Sequence, residues 1–325
     1  MSIALLYAAE TVGPVCKRLA AFGEPKFNVI SDEQDIVNRP DVVVRWGSSR
    51  DVPAGPRVIN TAEAIVLAKN KKASRKILGK LAPKTWFQLY DIPAGTPVIV
   101  RPKRHHAAKK FFVCKTREEV QKAIAKCGLG WYASEIIDKQ AEFRVFVLQG
   151  RVVAVSQRFP AKEGDIAWNM ATGGKLINAN KEAWPMEACA ASIKAAQLVG
   201  LDWSAVDVAI DQAGNEVVFE LNTAPGLRNK YTMGQIAKAL GWAKEVQPAP
   251  AAPATWKDII HPALRKKEPE PPPLDKFEVE FIVTKTTFVK KVVEALNSTD
   301  ARNAALVLIP VEANTKIDWN STAKV

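Results

Sequence analysis

Cysteine and histidine are scarce, with four Cys and three His in 325 residues. Cys16, Cys114, Cys127 and Cys189 form no C-x-x-C pair, and their spacings suit no zinc framework. They read as isolated reduced thiols in apolar cores, because a chain of this length buries enough surface to need no staple. His105, His106 and His261 are too few for a histidine-rich metal site, and no G-x-S-x-G elbow is present. No apolar run reaches the roughly 18 residues that cross a bilayer. The opening MSIALLYAAETVG lacks a basic leader and a cleavage site. It reads as a buried strand, and the cytoplasm is the expected location, with no membrane partner. Hydrophobic residues at 47% and charged residues at 25% exclude a disordered or collagen-like chain. At about 150 residues per domain, two or three domains are expected.

What the sequence does have is a localised positive charge. The net charge is +12. Residues 69–126 hold sixteen Lys/Arg against three Asp/Glu, whereas the chain from Val246 onward holds eleven against ten. One segment therefore carries the excess, and such a field attracts nucleotides, nucleic acid or acidic proteins. For 69–84 alone a solvated lysine-rich helix face is the simpler reading. The run Arg101-Pro102-Lys103-Arg104-His105-His106-Ala107-Ala108-Lys109-Lys110 follows a strand and has no compensating acid.

Hydrophobic periodicity divides the chain. Strands are expected at 3–8, 26–30, 42–46 and 57–60 with a helix at 11–22, an α/β domain over 1–65. An α+β region follows over 66–246. It has helices at 61–68, 69–81, 116–127, 181–200 and 231–240. Its strands fall at 96–101, 109–115 and 131–137, with hairpins at 142–158 and 206–221. QPAPAAPAT and EPEPPP mark a Pro/Ala-rich linker over 247–274. A strand at 277–284, an amphipathic helix at 288–296 and a strand at 304–310 suggest a small β-α-β appendage over 275–325.

The second hairpin carries the chemistry. Asp207-Val208-Ala209-Ile210-Asp211 is followed by Phe219-Glu220-Leu221-Asn222-Thr223-Ala224-Pro225-Gly226. Alternation puts Asp207 on one face of its strand, and Glu220 and Asn222 on one face of the next. Apolar neighbours make both strands largely buried, and a buried carboxylate needs a partner or a metal. Asp207, Glu220 and Asn222 converging across a hairpin form an oxygen donor set suited to Mg2+. The plainer reading is a hairpin with an exposed acidic face. Pro225-Gly226 favours the ligand set, because it turns the chain where the ligands must meet.

Glu220-Leu221-Asn222-Thr223-Ala224-Pro225-Gly226-Leu227, preceded by Gly200-Leu201-Asp202 and Asp207, resembles the metal-binding signature of the ATP-grasp superfamily, in particular its ribosomal-protein glutamate ligase branch. Other segments resemble that family in the same order. They are Asn70-Lys71 before Pro83, the strand 98–102, the hinge Ser134-Glu135-Ile136-Ile137, and Glu142-Phe143-Arg144-Val145. Ala161-Lys162-Glu163-Gly164-Asp165 with Asn169 and Gly173-Gly174 completes the series. The resemblance covers about 60–240, and the α/β domain before it suits the same architecture.

The resemblance implies an ATP-grasp fold with ATP between two α+β lobes, and an ATP-dependent carboxylate–amine ligase that works through an acylphosphate. Asp207, Glu220 and Asn222 would hold Mg2+ or Mn2+. Lys71 and Arg101 would contact the phosphates together with Lys109 of the lid loop, and Glu135, Ile136 and Ile137 would clasp adenine. Arg144, Arg158 and Asn169 are the catalytic candidates, with Arg144 or Arg158 steadying the acylphosphate or the acceptor carboxylate. The partners would be a carboxylate and an amine, free or carried on a protein or nucleic-acid polymer. Three positions depart from the family. Arg101 stands where most relatives carry lysine. The lid loop has no glycine to bring backbone N–H groups to phosphate. Ile166-Ala167-Trp168 stands where the glutamate ligases carry an arginine, which argues against glutamate as substrate. Two alternatives remain open: an ATP-binding regulatory module without catalysis, and a nucleic-acid-binding protein using the basic segment.

Overall fold

The computed structural model describes residues 3–7, 13–21, 28–30, 40–52, 54–103, 110–168, 172–227, 229–241, 275–284, 287–295 and 318–324. The chain forms two compact units, Met1–Leu264 and Arg265–Val325.

The first unit opens with β1 (Ile3–Tyr7), α1 (Gly13–Ala20), β2 (Asn28–Ile30), β3 (Val42–Trp46) and β4 (Arg57–Ile59). The strands form a parallel sheet in the order β2-β1-β3-β4. Both β1 and β3 are nearly continuous apolar runs, as burial on two faces requires. Helices α2 (Ala62–Lys69) and α3 (Lys71–Leu78) follow. One helix was expected over 69–81, but Asn70 breaks it. With φ −85° and ψ 90°, Asn70 ends α2 and caps α3, its side chain accepting from the Ala73 amide at 3.2 Å. The helix axis restarts there, which makes Lys71 the first residue of α3.

A four-stranded antiparallel sheet comes next: β5 (Thr85–Trp86), β6 (Val98–Pro102), β7 (Phe112–Cys114) and β8 (Trp131–Glu135), in the order β5-β8-β6-β7. Helix α4 (Arg117–Cys127) covers it, started by a capping box in which Thr116 and Glu119 satisfy each other's backbone amides.

The central sheet is antiparallel in the order β11-β10-β9-β12-β13. It comprises β9 (Lys139–Leu148), β10 (Arg151–Phe159), β11 (Lys175–Asn178), β12 (Trp203–Asp211) and β13 (Glu216–Asn222). Helix α5 (Met186–Val199) lies between β11 and β12 in sequence, and α6 (Lys230–Ala239) follows β13. The expected helix over 181–200 starts late, because Pro185 keeps Trp184 extended at ψ 134° and leaves 181–183 as an isolated 3-10 turn. Gly200, in the left-handed region at φ 76°, ends it.

Alternation divides the central sheet by function. One face packs Phe143, Val145, Val155, Val206 and Val208 against alanine-rich α5. The other face is split along its length. Phe146, Ala154, Trp203 and Ala205 join β1, β3 and α6 in a second core, with Trp46 and Trp203 centred 5.0 Å apart. Farther along the same strands and face stand Glu142, Arg144, Arg158 and Asp207.

Buried Asn60 ties the parallel sheet to this face. It sits at φ 69° and exchanges two side-chain bonds with the Trp203 backbone, accepting from its N–H at 2.8 Å and donating to its carbonyl at 2.9 Å. The Asn60 amide also donates to Asp202 at 3.0 Å. Gly47, at φ 79°, closes the seam, since a Cβ there would stand 2.7 Å from the Ala224 methyl.

The second unit is a three-stranded antiparallel sheet, β15-β14-β16, from β14 (Asp275–Thr284), β15 (Thr287–Ala295) and β16 (Asp318–Lys324). The helix expected at 288–296 is strand β15. The β-branched Val289, Val292 and Val293 suit a strand, and pairing with β14 overrides a helical spacing. The strand expected at 304–310 and the linker core at 247–274 lie outside the described residues.

Asn60→Ala strands two buried backbone groups and leaves alanine at a positive φ. A loss of about 3 kcal/mol is expected, read as a lower urea midpoint; an unchanged midpoint would remove Asn60 as the tie. All four thiols are buried, and burial pushes Cys16 and Cys189 up to about 12. Native protein at pH 8 should leave a thiol reagent unreacted over minutes, and denatured protein should titrate four groups.

Candidate active site

A cavity of about 1050 Å³ lies between the two antiparallel sheets, walled on one side by Gly47 and Ser49. Its floor is the charged end of the central sheet. In the register, Arg144 on β9 lies directly opposite Asp207 on β12, and Asp207 opposite Glu220 on β13.

The charges alternate in sign across this floor. Arg144 grips Asp207 with two bonds, Nε to Oδ1 at 2.8 Å and Nη2 to Oδ2 at 2.9 Å. Arg158 bridges two acids, donating Nη2 to Asp207 Oδ2 at 2.8 Å and Nη1 to Glu142 Oε1 at 3.0 Å. Lys139 Nζ holds the other oxygen of Glu142 at 2.7 Å. Asn222 Nδ2 also donates to Asp207 Oδ2, at 3.2 Å. Every charge in this row has an opposite neighbour, the condition under which buried ions are tolerated. Burial opposes the Arg144 charge, yet Asp207 outweighs it and raises that guanidinium above its ordinary range. Burial pushes Lys139 below its ordinary range, against the pull of Glu142.

Lys139 was not singled out from the sequence. Strict alternation puts residues three apart on opposite faces. Here β9 slips by one residue between its pairings with Ile210 and Asp211, and Lys139 turns onto the face of Glu142. Its ammonium also donates to the Ile166 carbonyl at 2.8 Å and lies 4.3 Å from the centre of the Trp168 ring. Trp168 donates in turn to the Asp165 carbonyl at 2.7 Å. Residues 165–168 are thereby fastened to the floor, and they bring Ile166, Ala167 and Trp168 to the cavity wall.

Several candidates named from sequence meet in this cavity. Lys71, Arg101, Glu135, Ile137, Arg144, Arg158, Asp207, Glu220 and Asn222 all line it. Ile136 is half-buried and is not among the lining residues. Lys109 and Asn169 lie outside the described residues. Lys71 reaches across to β13, donating to the Leu221 carbonyl at 3.2 Å and standing 3.6 Å from Glu220. Its own amide donates to the Lys103 carbonyl at 3.1 Å, which pins α3 to the end of β6 and sets Lys71 near Arg101. The Glu135 carboxylate is spent on the backbone, accepting from the Lys84 amide at 2.6 Å.

Asp207, Glu220 and Asn222 offer two carboxylates and one amide, hard oxygen donors of the kind Mg2+ takes before completing its shell with water and phosphate. Asp207 Oδ2 accepts three of these bonds and Oδ1 only one, so Oδ1 keeps a lone-pair direction for a cation. The donor set therefore fits the ion. Among the described residues no cluster of three His, Cys, Asp or Glu side chains forms a metal site, and the third donor here is an amide.

The model of the RimK-like ATP-grasp domain matches residues 61–241, more than half of the chain. The chain belongs to the RimK-like ATP-grasp family. Probable alpha-L-glutamate ligases are similar to it. That of Alkalilimnicola ehrlichii is 29% identical over 185 residues, 52% of this chain and 60% of the relative. That of Citrobacter koseri is 30% identical over 189 residues, 53% and 61%. The chain thus spans about three fifths of the length of these curated relatives. Solved structures share the ATP-grasp fold. D-alanine–D-alanine ligase from Bacillus anthracis superposes with a TM-score of 0.55 at 15% identity, covering 75% of this chain and 93% of that one. The ATP-grasp ligase PsnB, complexed with a minimal precursor, superposes at 0.54 and 16%, covering 74% and 97%. The ATP-grasp fold expected from sequence is therefore the fold of this chain. No helix among the described residues of this RimK-like protein is long and apolar enough to cross a membrane.

Asp207→Ala removes the buried shared partner of two half-buried guanidinium groups, and a loss of about 3 kcal/mol is expected in urea unfolding. Asp207→Asn keeps the shape and one acceptor oxygen but removes the charge, and should lose nearly as much. A clearly smaller loss for Asp207→Asn would mean that shape and hydrogen bonding, not charge pairing, hold the floor together.

Proposed function

We propose that this RimK-like protein is an ATP-dependent carboxylate–amine ligase. The observation that carries this reading is the alternating charge row on the cavity floor, which presents Asp207, Glu220 and Asn222 beside Arg144 and Arg158. Mere binding of a nucleotide needs no such row, so the observation favours catalysis over a regulatory module.

In the reaction, a substrate carboxylate oxygen takes the terminal phosphoryl group of ATP and ADP leaves. The amine nitrogen then attacks the carbonyl carbon, phosphate departs and the amine loses a proton. No covalent nucleophile on the protein is required. Asp207, Glu220 and Asn222 would hold Mg2+, which neutralises phosphate charge when bound. Lys71 and Arg101 bind phosphate oxygens. Arg158, held at a fixed angle by Glu142 and Asp207, steadies the charge that develops on the substrate, and Arg144 keeps Asp207 oriented. Glu135 braces the hinge through Lys84, which leaves backbone groups of the hinge to read the adenine edge, with Ile137 against the ring. Phe219, the extra residue of a bulge in β13, adds apolar surface to the same wall.

The substrates are a separate matter from the chemistry. By the family resemblance, Ile166-Ala167-Trp168 stands where the glutamate ligases carry an arginine, and all three residues line the cavity with apolar side chains. This favours a substrate other than free glutamate. The Lys-rich face, where Lys72 and Lys76 both lie over the Phe87 ring and Lys126 over Phe112, favours an acceptor carried on a polyanion.

The test is ADP release from Mg-ATP across amino acids, small acids, and acidic and basic polymers, with Glu220→Gln as control. Acceptor-dependent ADP that falls at least about 100-fold in the variant is the expected result. Full activity of Glu220→Gln would sink the metal assignment. Tight ATP binding with no ADP from any mixture would leave only the regulatory reading.

A further inference from the structure

Helix α3 carries more positive charge into the cavity than the proposed roles use. Lys71 and Arg75 are four residues apart and therefore share one helix face. Both line the cavity, as does Arg101 from β6. Arg75 is only 9% exposed, and its Nη1 has no hydrogen-bond partner. The buried Nε of Arg101 is likewise unpartnered. The Arg75 guanidinium lies 5.9 Å from the centre of the Tyr132 ring, which lines the same cavity.

A buried guanidinium with an idle donor is expensive, because arginine keeps its charge and cannot shed a proton to escape burial. Burial pushes Arg75 below its ordinary range, and the nearby Arg101 adds to this against Tyr132, Glu220 and Glu135. The cavity as a whole is lined by seven Lys/Arg and four Asp/Glu, an excess of three positive charges. The floor row balances itself, so the excess belongs to the α3 and β6 side. A single carboxylate would offset one of these charges. A chain of phosphates offsets several, and its oxygens match the fork of a guanidinium.

We infer that Arg75 is a third cation for the polyphosphate chain of a nucleoside triphosphate, acting with Lys71 and Arg101. The inference rests on the nucleotide-binding part of the proposed function. It also accounts for the stretch 104–109, which contains no glycine. Side-chain donors fixed on a helix and a strand supply what backbone N–H groups of a glycine loop would otherwise offer.

The experiment is calorimetric binding of ATP, ADP, adenosine, inorganic pyrophosphate and free glutamate, with Mg2+ present, to wild type, Arg75→Gln and Arg75→Lys. Arg75→Gln should weaken ATP, ADP and pyrophosphate about 10- to 100-fold and leave adenosine within about twofold. Arg75→Lys keeps the charge without the fork and should fall between. Unchanged ATP and pyrophosphate affinity in Arg75→Gln overturns the inference and leaves the ligase reading standing. Equal loss of adenosine and ATP overturns it in favour of a role in cavity shape. Loss confined to glutamate would hand Arg75 to the carboxylate substrate and also overturn it. If Arg75→Gln does not fold, Arg75→Lys decides: several-fold weaker pyrophosphate with adenosine unchanged supports the inference, and wild-type affinities refute it. Wild type that binds no nucleotide and no pyrophosphate would defeat both the inference and the proposed function.

Discussion

The Asp207 carboxylate is the fixed point on which the site depends. It lies on a sheet face that is apolar along half its length, and it is buried. An ion in that position survives only if its neighbours neutralise it and fill its lone pairs. Arg144 does so from the adjacent strand and Arg158 from the strand beyond, and Arg158 in turn requires Glu142, which requires Lys139. The result is a row of alternating charges one side chain deep. Each member restricts the rotamers of the next, so the row is rigid before any substrate arrives. The metal-holding and catalytic roles proposed for these residues depend on such rigidity, because their effect rests on where charge is placed rather than on how much is present.

The same sheet face explains the architecture around the site. Its apolar half is where the parallel β1–β4 sheet docks, with Trp46 against Trp203 and Asn60 completing the unpaired edge of β12. That docking carries Gly47 and Ser49 to the cavity wall. The chain then turns through Asn70 into α3, and the α3 start is tied to the end of β6. The cavity is therefore the meeting place of the parallel sheet, the smaller antiparallel sheet and the central sheet.

Charge is divided within the cavity in a way that matches this geometry. The floor is balanced, whereas the wall made by α3 and β6 is strongly positive. A polyanion drawn to that wall would have its far end over the donors of β12 and β13, where Lys71 already spans the gap to Glu220. The lysines outside the cavity, stacked on Phe87, Trp86 and Phe112, extend the same field to the surface.

Much of this was legible in local sequence. The hairpin with Asp207, Glu220 and Asn222, the helix start at Thr116 and the parallel strands β1 and β3 follow from alternation, capping chemistry and continuous apolar runs, all of which act within a few residues. The family also followed from motif order, and the matched span 61–241 agrees with it. Other features depended on contacts far apart in the chain. Lys139 reached the floor through a slip in the β9–β12 register that no local pattern encodes. Residues 287–295 became a strand because β14 offered an edge, although their apolar spacing suited a helix. Arg75 falls in the stretch 69–84 that read as a solvated lysine-rich helix face, yet α3, which starts anew at Asn70, buries it near Tyr132. The sequence by itself determined most of the elements within 1–241, where helices are capped and which residue types could hold a metal and phosphate. Only the tertiary structure decided which charges meet, because pairing across strands and burial of a cation are set by the packing of distant segments.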